Sequence, residues 1–337
     1  MASTSADREQ WGSRLGFILA AAGSAIGLGN IWRFPYVTAE NGGGAFVVVY
    51  LACILLICLP YLFAELALGR NSQKNPVGAI AAIKKGTPWM LVGGLCVLTG
   101  VFILSYYGVV AGWALGYIFK AFVAPGADSA QYFAQLVADP IRVLPLAGVF
   151  MLITILVVYG GIEDGIERWA KVLMPVLLVL MLVVIFRSVT LPGAGAGLEF
   201  YLNPDFSKID GGVILAGLGQ AFFSLSLGMG AMITYGSYLP KRENLLVSGG
   251  YVALFDTVIA LMAVMIIGSG LQRSGLMNHL LNYLLNYRHR GERQLMLLVS
   301  GTAGLTASVL QNIGSAALIA PLVTRLVHRA GLPRGRL

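Results

Sequence analysis

Apolar residues run along this chain in long blocks separated by short polar clusters. Nearly uncharged runs cover about 14–38, 44–68, 90–122, 142–159, 171–190, 211–237 and 249–270, and a last one covers about 295–327. A helix needs about 20 consecutive, mostly apolar residues to cross the hydrocarbon layer. Backbone polar groups in lipid must also find their partners within the segment, which favours helices. The pattern therefore predicts an all-α integral membrane protein with about seven or eight transmembrane helices.

Composition agrees. Hydrophobic residues make up 57% of the 337 and charged residues 11%, with a mean hydropathy of +0.79. A soluble domain carries about 25% charged residues. The net charge of +8 does not point to nucleic acid, because the basic residues collect between apolar runs rather than along one face. Arg70, Lys74, Lys84 and Lys85 lie between the second and third runs, and Lys241 and Arg242 between the sixth and seventh. Glu163, Asp164, Glu167, Arg168 and Lys171 lie between the fourth and fifth, while 123–140 and 191–209 are poor in basic residues. Cytoplasmic loops carry the excess of Lys and Arg, so the N-terminus is expected inside a cytoplasmic membrane. The polar start Met1–Trp11 lacks a small-residue cleavage site, and the first run is read as a retained helix. Beyond Gly270 the rule breaks: Arg273, Arg288, Arg290 and Arg293 fall on the predicted outer side. Cys53, Cys58 and Cys96 sit inside apolar runs with no metal-site spacing. His279, His289 and His328 are scattered, and no nucleophile triad or phosphate loop appears, so an enzyme is not expected.

Two apolar runs are interrupted by paired glycines. Gly27-Leu28-Gly29 divides the first, and Gly228-Met229-Gly230 divides the sixth, after Ser224 and Ser226. Glycine costs about 1 kcal/mol in a helix interior relative to alanine. Such pairs either let helices pack closely or mark the broken helices of a transporter site. The five-helix offset suggests a five-plus-five inverted repeat. An unwound stretch near Ala25–Gly29 frees carbonyls for a cation, and the next half-helix turns its amides toward an anion. Asn30 adds a hard oxygen. Asp256, among apolar neighbours in the seventh run, calls for a cation, a proton or a hydrogen-bond partner. Glu65 fits either a structural hydrogen bond or a functional role. Tyr106 and Tyr107 lie well inside the third run, where a hydroxyl can face the bundle centre. Gln311, Asn312 and Gly314 interrupt the last run, as in a broken or re-entrant helix.

At these residues the chain resembles the neurotransmitter:sodium symporter family, in its bacterial amino-acid branch. The likeness is carried by Arg8-Glu9-Gln10-Trp11 through Pro35, by Glu40-Asn41-Gly42-Gly43-Gly44-Ala45-Phe46 and by Glu65-Leu66-Ala67-Leu68-Gly69-Arg70. It continues through Tyr106-Tyr107 with Trp113, through Thr190-Leu191-Pro192-Gly193-Ala194, and from Phe222 to Tyr238, reaching about Val264. The resemblance implies sodium-coupled symport of an amino acid by alternating access, the alternative being a non-transporting membrane fragment or fusion product that at most binds ligand. It implies a sodium site at the Ala25 carbonyl, Asn30, Ser224 and Asp256, and a second one at the carbonyls of Gly23 and Ile26. It places the substrate carboxylate at Leu28, Gly29 and Tyr107, and the substrate side chain among Ile103, Phe223, Ser226 and Met229. That apolar lining suggests a hydrophobic amino acid. Arg33 would be an external gate, and Arg8 with Trp11 an internal latch. Tyr50 and Gln220 match the family's chloride site, whereas Ala260 stands where that site has a serine or a carboxylate, so chloride dependence stays open. Gly165 and Pro175 match a motif that lets the fifth helix unwind. The partners implied are sodium, an amino acid and the bilayer, without nucleic acid.

After Val264 the pattern changes. The stretches Ile266-Ile267-Gly268-Ser269-Gly270-Leu271-Gln272 and Gln311-Asn312-Ile313-Gly314 to Pro321 resemble part of a divalent-anion:sodium symporter. The expectation is thus a symporter-like domain over 1–264 holding helices 1–7, followed by a divergent, possibly fused segment over 265–337. The first would be a truncated, leucine-transporter-like bundle with discontinuous helices 1 and 6, lacking helices 8–12.

Overall fold

The computed structural model describes residues 9–27, 29–123, 129–190 and 194–271. Its thirteen α-helices among these residues are α1 (Arg14–Ala25), α2 (Phe34–Glu40), α3 (Gly44–Cys53), α4 (Leu59–Ser72), α5 (Pro76–Ile83), α6 (Met90–Val123), α7 (Ser129–Ala138), α8 (Pro140–Tyr159), α9 (Arg168–Val189), α10 (Ala194–Leu202), α11 (Gly211–Ser224), α12 (Ala231–Gly236) and α13 (Leu245–Leu271). Wider π-helical turns at Gly29–Arg33, Ile54–Cys58 and Gly161–Glu167 lead into α2, α4 and α9. No strand occurs among the described residues.

Among the described residues, five helical stretches are long and apolar enough to cross a membrane: Gly44–Ser72, Met90–Val123, Pro140–Tyr159, Gly161–Val189 and Leu245–Ile266. They fall on the second, third, fourth, fifth and seventh runs expected from the sequence. The first run forms two helical pieces, Arg14–Ala25 and Gly29–Glu40, bent by 52°. The sixth divides into α11 and the short α12. The last run, 295–327, lies outside the described residues, as do Gln311, Asn312 and Gly314.

Side-chain caps set several helix starts. Ser13 accepts from the Gly16 amide at 3.0 Å, and Asn75 accepts from Gly78 at 2.9 Å with Pro76 opening the turn. Asp139 caps α8 ahead of Pro140, and Asp210 accepts from Val213 at 2.8 Å to start α11. Each cap gives a partner to an amide that the first turn leaves unbonded.

Helix α13 is the hub: it packs against α1, α2, α4, α9 and α10. Helix α3 lies along α11, α4 along α12, and α6 along α8. Phe17, Ile26, Phe34, Tyr50, Leu62, Ala221, Val252 and Ala260 belong to the central cluster. Outward-facing Leu55, Leu56, Leu152, Ile155, Val179 and Phe186 remain exposed, as expected of surface meeting lipid tails instead of water. Where α4 meets α12 the contact is backbone on backbone. A Cβ at Gly69 would overlap the Ile233 carbonyl, and one at Gly236 would sit 2.6 Å from the Leu66 carbonyl. Small residues at such crossings let helices approach closely in lipid.

Candidate functional site

The site is assembled where two helices stop in mid-structure. Helix α1 ends at Ala25, and Ile26 turns extended with φ −74° and ψ 103°. Helix α11 ends at Ser224, and the chain crosses Leu225–Gly230 before α12 begins. Ser226, Gly228 and Gly230 there have φ of +54°, +81° and +75°. This left-handed region is open to glycine and costly for most other residues. Ser226 is the exception, and its hydroxyl donates to the Ser24 carbonyl at 3.1 Å, tying one break to the other. Among the described residues, the carbonyls of Gly23, Ala25 and Ile26 receive no hydrogen bond.

Beside these ends lies a chain of buried polar groups. Asp256 on α13 and Asn30 on the Gly29–Arg33 turn are both 0% exposed. The Asn30 amide donates to Asp256 Oδ1 at 2.7 Å and to the Asp256 carbonyl at 3.2 Å. Ser224 donates to Asp256 Oδ2 at 2.7 Å, and Tyr50 donates to Ser224 at 3.1 Å. No ion pair reaches Asp256 among the described residues. The Asn30 side-chain oxygen Oδ1 is buried and makes no hydrogen bond among the described residues. A buried carboxylate is costly unless paired, and two neutral donors satisfy it only in part. What remains is one carboxylate, one free amide oxygen, one hydroxyl and a helix-end carbonyl in the same region. Among the described residues no group of three or more His, Cys, Asp and Glu is placed to hold a metal. A single carboxylate among neutral oxygens suits a monovalent hard cation better than a divalent one, which draws on several carboxylates. The donor set therefore fits sodium.

Of the residues expected at the substrate pocket, Gly29, Ile103, Tyr107, Phe223 and Met229 come together. Tyr107 is buried against Val110, with Ile103, Trp113 and Phe223 packed on them. Ile103 also packs on the neighbouring cluster of Val97, Met229 and Ala231. Phe223 abuts the backbone at Gly29, where an added Cβ would lie 2.6 Å from its ring. Arg33 lies against this wall, its guanidinium 5.1 Å from the Phe223 ring centroid and donating to the Gln220 side-chain oxygen Oε1. Gln220 in turn donates to the Gly29 carbonyl at 3.1 Å. Trp11, at the other end of α1, is buried, and its indole donates to the Tyr235 carbonyl at 3.1 Å. Leu28 and Arg8 lie outside the described residues.

Several contacts escape sequence reasoning. Glu65 is 6% exposed and accepts from the Gly228 amide at 2.9 Å, while Cys96 donates to the Gly228 carbonyl at 3.4 Å. Both pin the crossing between α11 and α12. The Tyr50–Ser224 and Arg33–Gln220 links join residues 174 and 187 positions apart. Only the rarity of such polar residues inside apolar runs signals them.

The model of the sodium:neurotransmitter symporter family matches residues 8–132 and 141–281. An uncharacterised sodium-dependent transporter of Bacillus subtilis is 44% identical over 262 residues, covering 75% of this chain and 57% of that protein. Another, from Methanocaldococcus jannaschii, is 39% identical over 270 residues, covering 76% of this chain and 54% of that one. The chain thus spans little more than half the length of these relatives. The crystal structure of MhsT in complex with L-phenylalanine superposes with a TM-score of 0.78 at 40% identity, covering 95% of this chain and 79% of that one. The family match runs past Val264 to residue 281, through the stretch Ile266–Gln272. The expected likeness of that stretch to a divalent-anion:sodium symporter is not supported, since the stretch falls within the family match. The relatives are transporters, not enzymes. With its helical breaks, its buried Asp256 and this match along most of its length, the chain belongs to the sodium:neurotransmitter symporter family.

Proposed function

We propose that this chain forms the ion- and substrate-holding part of a sodium-coupled symporter for a hydrophobic amino acid. The observation that carries the reading is the buried Tyr50–Ser224–Asp256–Asn30 chain beside two helix ends. Sodium would be held by the Ala25 carbonyl, the Asn30 side-chain oxygen, Ser224 and Asp256. The carbonyls of Gly23 and Ile26 would contribute to a second ion. The substrate carboxylate would meet Leu28, Gly29 and the Tyr107 hydroxyl, within reach of the first ion's charge. Ile103, Phe223 and Met229 would contact its side chain, with Ser226 holding the crossing in place. The apolar character of that wall favours a hydrophobic substrate, and MhsT, the structural neighbour, is seen with L-phenylalanine.

On this reading the paired breaks correspond to discontinuous helices 1 and 6 of a five-plus-five inverted repeat, within a domain spanning 1–264. The N-terminus would face the cytoplasm of a cell whose inner membrane holds the protein. Arg33 would close the outer side above Phe223, and Trp11 would close the inner side, with Arg8 beside it. Coupling then follows from linkage: sodium and substrate stabilise one closed arrangement, and each raises the other's affinity.

The test is binding of labelled phenylalanine, leucine and tryptophan to the purified protein, in sodium against potassium, with Asp256→Ala alongside. Saturable binding that requires sodium and is lost in the variant supports the reading. Folded protein that binds none of the three in sodium would leave a membrane protein that carries the family's architecture without its site.

A further inference from the structure

The inner end of the molecule holds two carboxylates that the ion and substrate sites do not use. Glu9 precedes α1, and Glu167 ends the π-helical turn before α9. Each reaches into the other's segment. Glu9 accepts from the backbone amide of Ile162 at 3.0 Å. Glu167, with 2% of its side chain exposed, accepts from the Gly12 amide at 2.8 Å and from the Ser13 hydroxyl at 2.7 Å. Lys171, one turn further along α9, pairs with Glu167 at 2.6 Å and fixes its direction. Hydrogen bonds to a charged acceptor are about twice as strong as neutral ones; the Ile162 amide lies in the opening turn of Gly161–Glu167, and the Gly12 amide lies just ahead of Ser13, the cap of α1.

The glycines at this junction are cleared for the glutamates. A Cβ at Gly16 would overlap the Glu167 carboxylate, and one at Gly12 would lie 2.6 Å from Glu163 Oε1. Gly161 has φ +78°, and a Cβ there would lie 3.0 Å from Glu9 Oε1. Trp11 sits between the two carboxylates in sequence, and its backbone amide donates to the Tyr238 carbonyl at 3.3 Å.

We propose that Glu9 and Glu167 are positioning residues forming a reciprocal clasp, which makes segment 9–16 and segment 161–167 one cooperative unit at the inner end. Neither segment can leave its place without releasing the other. The start of α1 therefore moves together with the start of α9, and opening of the inner side requires both carboxylates to let go. The clasp rests on the transporter reading only for the meaning of that opening; its existence is independent of any ion or substrate.

The test is hydrogen–deuterium exchange of the purified full chain in detergent, read on peptides covering 9–16 and 161–167. Glu167→Ala is expected to speed exchange in both segments, by about tenfold or more for loss of hydrogen bonds to a charged group. Glu9→Ala is expected to do the same in both, although its only described hydrogen bond lies in 161–167. Glu163→Ala removes a nearby charge that makes no hydrogen bond among the described residues, and should leave both segments unchanged. Unchanged exchange in peptides from α3 and α11 shows that each variant is folded. If Glu9→Ala affected 161–167 alone and Glu167→Ala affected 9–16 alone, the two contacts would be local caps and the clasp would be refuted. Because the readout needs neither sodium nor amino acid, it stands or falls separately from the binding experiment above.

Discussion

A single residue would set the electrostatics of the proposed ion site. Asp256 is the one carboxylate in the Tyr50–Ser224–Asp256–Asn30 chain, and Ala260, one turn along α13, supplies no charge. On the proposed reading, the negative charge that balances sodium would be Asp256 itself, and no bound anion would be required. Two unit charges about 4 Å apart attract by about 4 kcal/mol at an effective dielectric near 20. Asn at 256 keeps an oxygen ligand but loses that attraction. Asp256→Asn should therefore raise the sodium concentration needed for half-maximal substrate binding by about tenfold or more, a change of at least about 1.4 kcal/mol. Chloride should leave the wild type unaffected and partly restore the variant. Sodium titrations in chloride and in gluconate check this; a wild type that binds more tightly in chloride would show that Asp256 is not the resident anion. Asp256 and Asn30 could be picked out of the sequence because buried polar groups are rare at membrane depth. Glu9 and Glu167 could not. They lie in polar, loop-like sequence, and only the fold brings them to each other's backbone.

At the scale of elements, hydropathy located the spans well, because length and apolarity are set by the bilayer. It missed what is short or irregular. Helices α5, α7 and α10 lie in segments read as connections, each ten residues or fewer. The π-helical turns are invisible because one extra residue in a turn leaves an all-apolar run unchanged, as in Ile54–Cys58. The glycine pairs at 27/29 and 228/230 lie just past the ends of α1 and α11. Other glycines serve packing, and the structure separates the two uses. Gly69 lies under the Ile233 carbonyl at the α4–α12 crossing, whereas a Cβ at Gly219 on α11 meets open space. Gly69→Ala must push the helices apart, costing about 1–3 kcal/mol. Gly219→Ala should be neutral or stabilising by up to about 1 kcal/mol. Thermal unfolding in detergent should show a clear drop in midpoint for the first and none for the second. Equal drops would mean that the close crossing does not contribute to stability.

For the molecule as a whole, the two breaks bring the proposed ion and substrate positions into one region. Asn30 touches Asp256 directly, the adjacent Gly29 abuts Phe223, and Phe223 packs with Tyr107. An ion at the polar chain and a carboxylate near Tyr107 would share this short path, so each should stabilise the arrangement that the other needs. Linkage makes that effect reciprocal: the factor by which saturating substrate raises sodium affinity must equal the factor by which saturating sodium raises substrate affinity. Typical couplings are about 5- to 150-fold. Opposite charges meeting among side chains as buried as Asn30, Asp256 and Tyr107 would place the coupling in the upper part of that range. Measuring each affinity with the other ligand absent and saturating gives both factors independently. Equal, large factors that collapse together in Asp256→Asn would place the coupling in the contact between the two sites. A coupling that survives the variant would place it in a larger rearrangement, in which α1 and α13 move as bodies and the local charge is incidental.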